Sequence, residues 1–280
     1  MITENTPELW LSHLPSPAIE GNKYDRGYVV VAAGGIESTG ATKIAALCAL
    51  RSGAGLVSVA CDSASLPVYA ASLSAIMTKP VEDISQFLSL IKDKHVTSVL
   101  IGCGAGINKK TKEFTLAALA EEKMVIIDAD AISVFSENPK QLFSSIKSPV
   151  ILTPHEGEFK RLFGNIIDMN HDRISRANKA AEISGAVVIL KGHHTAIASP
   201  SGKLVVNKGS TPYLATAGSG DALAGICSSL VAGGMPAFEA ACAAVWIHSR
   251  AAIKFGCGFI ADDMANLLPE IFTELKNKVK

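Results

Sequence analysis

Residues 216–225 read TAGSGDALAG, and this stretch carries the strongest local signal in the chain. A turn of small residues runs into a predicted helix starting at Ser219, which leaves unpaired backbone N–H groups at the positive end of the helix dipole. Such a helix start suits a phosphate or a phosphoryl group in transfer. Asp221 either stabilises the dipole or acts as a base toward an attacking hydroxyl. Spacing alone leaves both roles open.

Short apolar runs alternate with helical segments upstream of this stretch. Strands are predicted over residues 28–32, 56–60, 96–101, 124–127, 150–153, 187–190, 195–198 and 204–206. Helices predicted over 41–51 and 111–120 join neighbouring strands in βαβ fashion. Continuous apolar strands separated by helices predict a mostly parallel central sheet with helices on both faces, an α/β three-layer sandwich. The Ser201-Gly202 turn predicts that the last two strands form a hairpin.

The last third of the chain is predicted to be helical, over residues 219–233, 236–254 and 262–276. Pro236 suits a helix start. Alanine is dense in the middle helix, which permits close packing between helices. No linker interrupts the chain, so residues 1–280 are expected to form a single domain.

Composition narrows the class of partner. Lys plus Arg and Asp plus Glu are equal in number, 26 each, which argues against a broad surface for nucleic acid or anionic membrane. The partner is therefore expected to be a small molecule. The N-terminus has no apolar run typical of a signal peptide. The six cysteines form no CxxC pair and are expected to be buried, reduced core residues of a cytoplasmic protein.

Polar and glycine residues follow several predicted strands, where a parallel sheet binds its ligands. Gly102, Gly104 and Gly106 either admit a ligand close to the backbone or form a plain turn, and their spacing does not fit the dinucleotide fingerprint. Asp128 suits a substrate or water-bridged magnesium, whereas Asp130 is expected to cap the following helix.

Two further candidates stand at later strand ends. His155 either donates to a ligand or is bonded locally at a helix start. Lys191 is either a phosphate ligand or a solvated lysine. His193 and His194 are not expected to share a metal, because neighbouring residues of a strand point to opposite faces.

Several segments, in order, resemble one family. The TAGSGDALAG run looks like the anion-hole and catalytic-aspartate motif of the ribokinase-like superfamily. Further segments narrow the resemblance to the ADP/ATP-dependent NAD(P)H-hydrate dehydratases: KYDRG at 23–27, TGA at 39–41 through RSGAG at 51–55, GCGAG at 102–106, DADA at 128–131, LTPHEGE at 152–158 and KGHHT at 191–195. They span most of the chain.

The resemblance implies a ribokinase-like fold and a role for each matching residue. Catalytic roles fall to Asp221, Gly218, Ser219 and Gly220. Substrate contacts fall to Ala41, Gly104, Gly106, Asp128, His155 and Asp221. Nucleotide contacts fall to Lys191, Gly192, His193, His194, Thr195, Asn207 and Gly220. No residue is expected to ligate a metal directly.

The implied activity is nicotinamide nucleotide repair. The S-epimer of hydrated NADH or NADPH (NADHX or NADPHX) is dehydrated with ADP or ATP as the phosphoryl donor and Mg²⁺ as cofactor, releasing AMP or ADP and phosphate. The resemblance also implies a separate NAD(P)H-hydrate epimerase as pathway partner and a homo-oligomer, often a tetramer among relatives. About 20 residues precede the family-like region, too few for a fused epimerase domain, so none is expected.

Three departures from the family pattern stand near these segments. Ala217 replaces a common glycine, which the turn tolerates if the φ of Ala217 is negative. Residues 210–213, Ser-Thr-Pro-Tyr, replace a stretch that often carries Gly-Asn. Glu156 stands where proline is common. The sequence therefore does not decide whether ADP or ATP is the phosphoryl donor.

Two alternatives remain beside this interpretation. A ribokinase-like kinase of a small alcohol, such as a hydroxymethyl-pyrimidine or a thiazole, needs the same anion hole and base. A non-catalytic nucleotide-binding relative needs the fold alone. The DADA and LTPHEGE segments favour the dehydratase, and the presence of Asp221 with its glycines argues against a non-catalytic protein.

Overall fold

The computed structural model describes residues 3–277. The strands are β1 (Thr3–Glu4), β2 (Tyr28–Ala32), β3 (Leu56–Cys61), β4 (Met77–Pro80), β5 (Val96–Ile101), β6 (Met124–Ile127), β7 (Val150–Leu152), β8 (Val187–Leu190), β9 (Thr195–Ala198) and β10 (Leu204–Asn207). The helices are α1 (Thr39–Arg51), α2 (Leu66–Ser72), α3 (Ile84–Ile91), α4 (Lys109–Ala120), α5 (Ala129–Ser133), α6 (Pro139–Ser145), α7 (Glu156–Phe163), α8 (Arg173–Ser184), α9 (Ser219–Ala232), α10 (Ala237–Phe255) and α11 (Ala261–Asn277).

All ten of these strands belong to one sheet, in the order β1-β10-β9-β8-β7-β6-β5-β2-β3-β4. Within the described chain, β9 alone runs against its neighbours, and the other pairings are parallel. The predicted hairpin of β9 and β10 is confirmed. So is the prediction of a mostly parallel sheet.

Both faces of the sheet are covered, which gives the predicted three layers. Alternate residues of β2 show why: Val29 and Val31 belong to one apolar core, and Val30 belongs to the other. The first core contains side chains of α1, α9, α10 and α11, and the second contains side chains of α4, α5, α7 and α8. Continuous apolar strands are thus required by burial on two sides.

The elements that the sequence did not predict are short or half exposed. β4 is an edge strand that pairs with β3 alone. Its Met-Thr-Lys-Pro sequence has no buried residue to give a strand signal. β1 has two residues and joins the opposite edge. The helices of the second layer between β6 and β8 were also missed. The predicted elements deviate from the observed bounds by one or two residues at their ends.

The chain order reverses where β2 lies beside β5, and this is where such sheets bind ligands. The loops after these two strands touch closely: a Cβ on Gly34 would stand 1.5 Å from the carbonyl oxygen of Gly104. Only glycine permits that approach. The N-terminus of α9 is brought to the same edge of the sheet, and its C-terminal end lies at the opposite edge, beside Gly27.

The cysteine prediction is confirmed for five of the six residues. Cys48, Cys61, Cys103, Cys227 and Cys242 are buried, and all six thiols are free. The prediction is wrong for Cys257, which is exposed because it lies in the loop after α10. Among the residues described, no helix combines the length and apolar character needed to cross a membrane.

Candidate active site

The turn before α9 has the geometry of an anion-binding helix start. Gly218 has a φ of 84°, and a Cβ there would lie 2.7 Å from a methyl carbon of Ile44. Glycine is therefore required both by the left-handed backbone and by the space. Ala217 is outside the left-handed region, so the expected tolerance of this departure is confirmed. The N–H groups of the first turn of α9 have no partner within the helix; that of Ser219 is bonded to the carbonyl of Thr216 at 3.4 Å, which leaves those of Gly220 and Asp221 for a ligand.

Asp221 lies in the first turn of α9, half-buried. Burial, reinforced by the nearby charge of Asp128, raises the pKa of Asp221 to about 6. A hydrogen bond from Cys103 and the charge of Lys191 act in the opposite direction. A pKa close to neutrality suits a general base better than an ordinary surface carboxylate.

Asp128 is buried at the end of β6 and is fully engaged by side chains. Its Oδ1 accepts a hydrogen bond from Thr153 Oγ1 at 2.6 Å and from Lys191 Nζ at 2.9 Å. The next residue, Ala129, has a φ of 45°, a strained value for a residue with a Cβ. The surrounding structure therefore holds Ala129 in a backbone conformation that this residue would not favour by itself.

Lys191 points inward at the end of β8. Its Nζ also lies 3.9 Å from Glu158 Oε2, and a Cβ on Gly220 would be 3.2 Å from it. Burial alone would lower the pKa of Lys191, but the negative charges of Asp128 and Glu158 raise it above its usual value. The solvated-lysine alternative is therefore wrong. The ammonium stands beside the α9 turn, where a phosphate would meet both.

The structure corrects the expected role of Asp130. Asp128 occupies the N-cap position of α5, although its side chain makes no capping bond. Asp130 instead accepts a hydrogen bond from the backbone N–H of Gly106 at 2.8 Å. It thus ties the GCGAG loop to α5. The sequence could not indicate this bond, because Asp130 and its partner Gly106 are distant in sequence.

His155 is the N-cap of α7, so the local role is observed. Its Nδ1 accepts from the N–H of Gly157 at 2.9 Å, and the Glu158 carboxylate accepts from the N–H of His155 at 2.8 Å. Nδ1 is therefore an acceptor, which places the ring proton on Nε2, 3.2 Å from Glu158 Oε1. The side chain remains 54% exposed and borders the cavity around Asp221, so it is accessible to a ligand there.

Glu156, the departure from proline, begins α7 and has two arginine partners. Its carboxylate contacts Arg176 through two bonds of 2.8 and 3.0 Å and Arg173 at 2.8 Å. Arg173 also donates to the carbonyl of Lys191 at 2.9 Å. The ion pairs hold α7 against α8 and the end of β8. They restrain the start of α7 through charge, where a proline would restrain it through its ring.

One cavity of about 680 Å³ joins most of these groups. Ten residues that the sequence singled out border it: Asp128, His155, Lys191, Gly192, His193, Thr195, Asn207, Ser219, Gly220 and Asp221. The divergent residues Ser210, Thr211 and Pro212 border it too. Its volume is in the range of small-molecule and cofactor sites.

The remaining candidates lie outside this cavity. Gly104 approaches Ala41, since a Cβ on Gly104 would be 3.2 Å from the Cβ of Ala41. Gly106 is bonded to Asp130. Ala41, Gly104 and Gly106 thus form a separate group, beside the point where the strand order reverses between β2 and β5. His194 is also outside the cavity lining, whereas its ring lies 4.5 Å from that of His193. The expected opposite-face placement of this pair is wrong, because the two residues are in the turn between β8 and β9.

His248 was missed by sequence reasoning. It lies in α10, is buried, and its Nε2 stands 2.9 Å from the carbonyl oxygen of Ser219 and 3.1 Å from Ser219 Oγ. A carbonyl only accepts, so Nε2 carries the proton. Burial lowers the pKa of His248 to about 4, so the ring is neutral near pH 7. A lone polar pair, His248-Ser249, within an alanine-rich helix was the available signal.

Cys103 completes a small cluster with the two carboxylates. Its thiol lies 4.0 Å from Asp128 Oδ2, and one ligand atom each of Cys103, Asp128 and Asp221 fall within 4.8 Å of one another. Burial raises the pKa of Cys103 well above its usual value, so the sulfur is a thiol and donates toward the carboxylates. The sequence did not assign it because the GCGAG loop reads as glycine-rich packing.

Comparison with known proteins agrees with this arrangement. A family model for NAD(P)H-hydrate dehydratase matches residues 29–273. The chain is 35% identical over 270 residues to the ADP-dependent (S)-NAD(P)H-hydrate dehydratase of Neisseria meningitidis serogroup B, covering 94% of this chain and 89% of that protein. It also matches a bifunctional NAD(P)H-hydrate repair enzyme of Mycobacterium leprae at 33% identity, and the chain spans 48% of the length of that relative.

Two solved structures are similar over nearly the whole chain. A ribokinase-like superfamily protein from Enterococcus faecalis superposes with a TM-score of 0.86 at 25% identity, covering 99% of this chain and 96% of the other. An ADP/ATP-dependent NAD(P)H-hydrate dehydratase from Bacillus subtilis, co-crystallised with ATP/Mg²⁺, gives 0.85 at 25% identity, with 98% and 99% covered.

The three-layer fold, the α9 turn and its half-buried acid define a ribokinase-like enzyme. Within that class, the chain belongs to the NAD(P)H-hydrate dehydratase family, as the match over residues 29–273 shows.

Proposed function

We propose that this protein dehydrates the S-epimers of hydrated NADH and NADPH, NADHX and NADPHX, at the expense of ADP or ATP. Family membership supports the substrate, and the position of Asp221 carries the chemistry. This acid combines a pKa near 6 with a place in the first turn of a phosphate-binding helix. No other described carboxylate combines a pKa so raised with a position on that helix.

Asp221 is proposed to take the proton of the ring hydroxyl. With a pKa near 6 it is mostly ionised at pH 7, so it can accept that proton while the hydroxyl oxygen attacks the terminal phosphoryl group of the nucleotide. The bond to the bridging oxygen then breaks, and AMP or ADP leaves. Lys191 and the N–H groups at the start of α9 stabilise the charge on the transferred group.

Elimination follows from the phosphate ester. The ring nitrogen lone pair expels inorganic phosphate from the neighbouring carbon, and loss of a proton from the adjacent ring carbon restores the double bond. The protein contributes alignment and charge stabilisation, as phosphoryl transfer requires. The loop group of Ala41, Gly104 and Gly106 is proposed to hold the hydrate, and the cavity with Gly192, His193, Thr195 and Asn207 to hold the nucleotide, with His194 at its rim.

Magnesium is proposed to enter with the nucleotide. The residues do not form a protein cage for it, because Asp128 is taken by Lys191 and Thr153, and Cys103 offers sulfur where Mg²⁺ prefers oxygen. They would fit an ion held by phosphates and water, with Asp221 and the second carboxylate oxygen of Asp128, Oδ2, accepting from its waters. Such an ion would neutralise phosphate charge.

We further propose a cytoplasmic homo-oligomer of single-domain chains, with a tetramer as the expected form, that acts beside a separate epimerase. Free thiols throughout the chain support a reducing compartment. Ile253, Phe255 and Ile260 are each more than 40% exposed around the end of α10, and they support self-association. Light scattering coupled to gel filtration tests the assembly.

Asp221→Asn tests the proposed function. Removal of the base is expected to lower the rate by at least about 1000-fold while ADP still binds, because the anion-binding turn is unchanged. Prepared hydrate is incubated with ADP or ATP, and reduced-nicotinamide absorbance and phosphate release are followed together. Asp262→Asn, in the first turn of α11, is the matched control. A near-normal rate in Asp221→Asn, or a phosphorylated alcohol as the final wild-type product, would contradict the proposal.

A further inference from the structure

A second cavity, of about 550 Å³, lies at the opposite edge of the sheet. It is enclosed by the loop of residues 15–26 and by the C-terminal ends of α1, α9 and α11. α9 connects the two edges: Ser219 to Leu223 approach the catalytic cavity, and Ser229 borders the second one. Fourteen helical residues span about 20 Å, so the second cavity is separate from the site described above.

The loop is attached firmly to the core, so the cavity has formed walls. Pro15 lies against Gly233, where a Cβ would be 3.0 Å from it. The backbone of Lys23 lies against Gly55, where a Cβ would be 1.8 Å from the Lys23 carbonyl oxygen. Arg26 donates from Nε to the carbonyl of Gly53 at 3.0 Å. Glycine at two positions thus allows the loop to close one side of the cavity.

The walls of this cavity are strongly basic. Lys23, Arg26, Arg51 and Lys276 line it, against one carboxylate, that of Asp25. Asp25 already accepts from the backbone N–H of Asn22 at 2.7 Å. Across residues 3–277, none of the four cations has a carboxylate partner within 4 Å. Four unpaired cations around one concave space attract a multiply charged anion.

Ser52 supplies an independent observation. Its side chain is 7% exposed, it lines the cavity, and its Oγ has no hydrogen-bond partner among the residues described. A buried hydroxyl without a partner is costly, and few such groups persist without a reason. In this rotamer Oγ is closed off from solvent, so rotation about the Cα–Cβ bond would be needed for a ligand oxygen in the cavity to satisfy it.

Helix ends account for only part of the charge. Arg51 and Lys276 lie in the last turns of α1 and α11, where cations favour the helix dipole. Lys23 is in the loop, with its Nζ 5.3 Å from the centre of the Tyr24 ring, and Arg26 donates to the carbonyl of Gly53, but neither contact neutralises the positive charge. Dipole complementation also gives no reason for a buried, unpartnered Ser52.

We propose that this cavity is a second binding site that takes a phosphorylated small molecule. The phosphate groups are held by the four cations and Ser52 Oγ, and the remainder packs against Phe272 and the prolines of the loop. The cavity volume accommodates a nucleotide-sized ligand. The site is independent of the proposed dehydration chemistry, because it contains none of the groups assigned to it.

Calorimetric titration with inorganic pyrophosphate tests the site. Variants of the second cavity locate the binding, because ADP is itself a phosphorylated molecule that this cavity would take and cannot be used to block the catalytic cavity alone. We expect pyrophosphate to bind the wild type, and to bind at least tenfold more weakly to the double variant Arg51→Gln/Lys276→Gln. Lys160→Gln removes a cation from the last turn of α7 and should bind as the wild type does.

Ser52→Ala separates binding from folding. The melting temperature is expected to stay level or rise, because a buried unpartnered hydroxyl is removed, while pyrophosphate affinity falls several-fold. The proposal is overturned if the double variant and Ser52→Ala both bind pyrophosphate as the wild type does, because the binding then lies outside this cavity. Equal weakening in Lys160→Gln would also overturn it, since general surface charge would then explain the binding.

Discussion

At the scale of single residues, the role proposed for Asp221 conflicts with stability. Its pKa is raised because burial and the charge of Asp128 disfavour the ionised form, yet a base must be ionised to accept a proton. Asp128 itself is compensated by Lys191 and Thr153. The fold therefore neutralises the charge of Asp128 and leaves the charge of Asp221 poorly compensated.

This conflict predicts that Asp221→Asn stabilises the protein as it inactivates it. The folded-state pKa of about 6 exceeds the ordinary value of 3.8, so ionised Asp221 costs stability at pH values above 6, and the cost disappears as the pH falls toward 4. We expect the variant to gain on the order of 2 kcal/mol at pH 7 and nothing at pH 4. Urea unfolding at both pH values measures it, and a loss of stability at pH 7 would contradict the assigned pKa.

His248 is expected to position the start of α9 rather than to react. Its Nε2–H holds the carbonyl and hydroxyl of Ser219, the first residue of that helix. His248→Ala should lower kcat by about 10- to 100-fold with little change in ADP affinity, because the turn is retained but loosened. His248→Gln keeps a donor and should recover much of the rate. If Gln and Ala variants are equally impaired, the hydrogen bond is not the cause.

At the scale of elements, contact between α1 and α9 sets the position of the anion-binding turn. Gly225 is buried in α9, and a Cβ there would lie 2.2 Å from the carbonyl oxygen of Ala45 in α1. The two helices can approach this closely only because the residue is glycine. A shift of α9 would move Asp221 away from Asp128 and Lys191.

Two helical glycines give a matched pair for this contact. Gly225→Ala is expected to destabilise the protein by about 2 kcal/mol or more, because backbone atoms cannot give way as a flexible side chain would. Gly40 lies in α1 with nothing within 4 Å of its Cβ position, so Gly40→Ala should be neutral or stabilising by about 0.5–1 kcal/mol. Thermal and urea unfolding of both variants measures the difference. Equal effects would show that helix propensity, not packing, governs Gly225.

At the scale of the whole molecule, the N-terminal segment supports the cavity proposed to bind the nucleotide, through one buried network. Asn5 Nδ2 donates to Asn207 Oδ1 at 2.9 Å and to the carbonyl of Cys242 at 2.8 Å. Asn5 Oδ1 accepts from Trp10 Nε1 at 3.2 Å. The two bonds donated by Asn5 connect residues more than 200 positions apart, and one of them orients Asn207, which borders the cavity.

Asn5→Ala is expected to lower the free energy of unfolding by about 1–3 kcal/mol, because it leaves the polar groups of Trp10 and Asn207 buried and unsatisfied. ADP affinity should fall several-fold, since Asn207 loses its anchor. Calorimetry with ADP and urea unfolding measure the two effects. The control is Asn170→Ala, whose exposed residue is remote from the cavity lining. If ADP affinity is unchanged in Asn5→Ala, the network does not support the proposed nucleotide site.

The sequence by itself determined the three-layer fold and the turn at residues 216–225. Strong signals did this: continuous apolar strands, a glycine-rich helix start and the ordered family segments. β4, α5 and α6 gave no comparable pattern. The edge strand is half exposed, and α5 and α6 have only five and seven residues, too few for a clear helical repeat. The amphipathic α7 and the 12-residue α8 do carry such a repeat, and they were missed nonetheless.

Tertiary structure decided which groups meet. Asp128, Lys191 and Asp221 are distant in sequence and come together because β6 and β8 end, and α9 begins, at one edge of the sheet. The pKa of Asp221, the support from His248 and Asn5, and the hydrogen bond of Asp130 to Gly106 all depend on such meetings. Local sequence specifies which groups a strand end carries. Burial and distance, which set their charge and partners, exist only once the chain is folded.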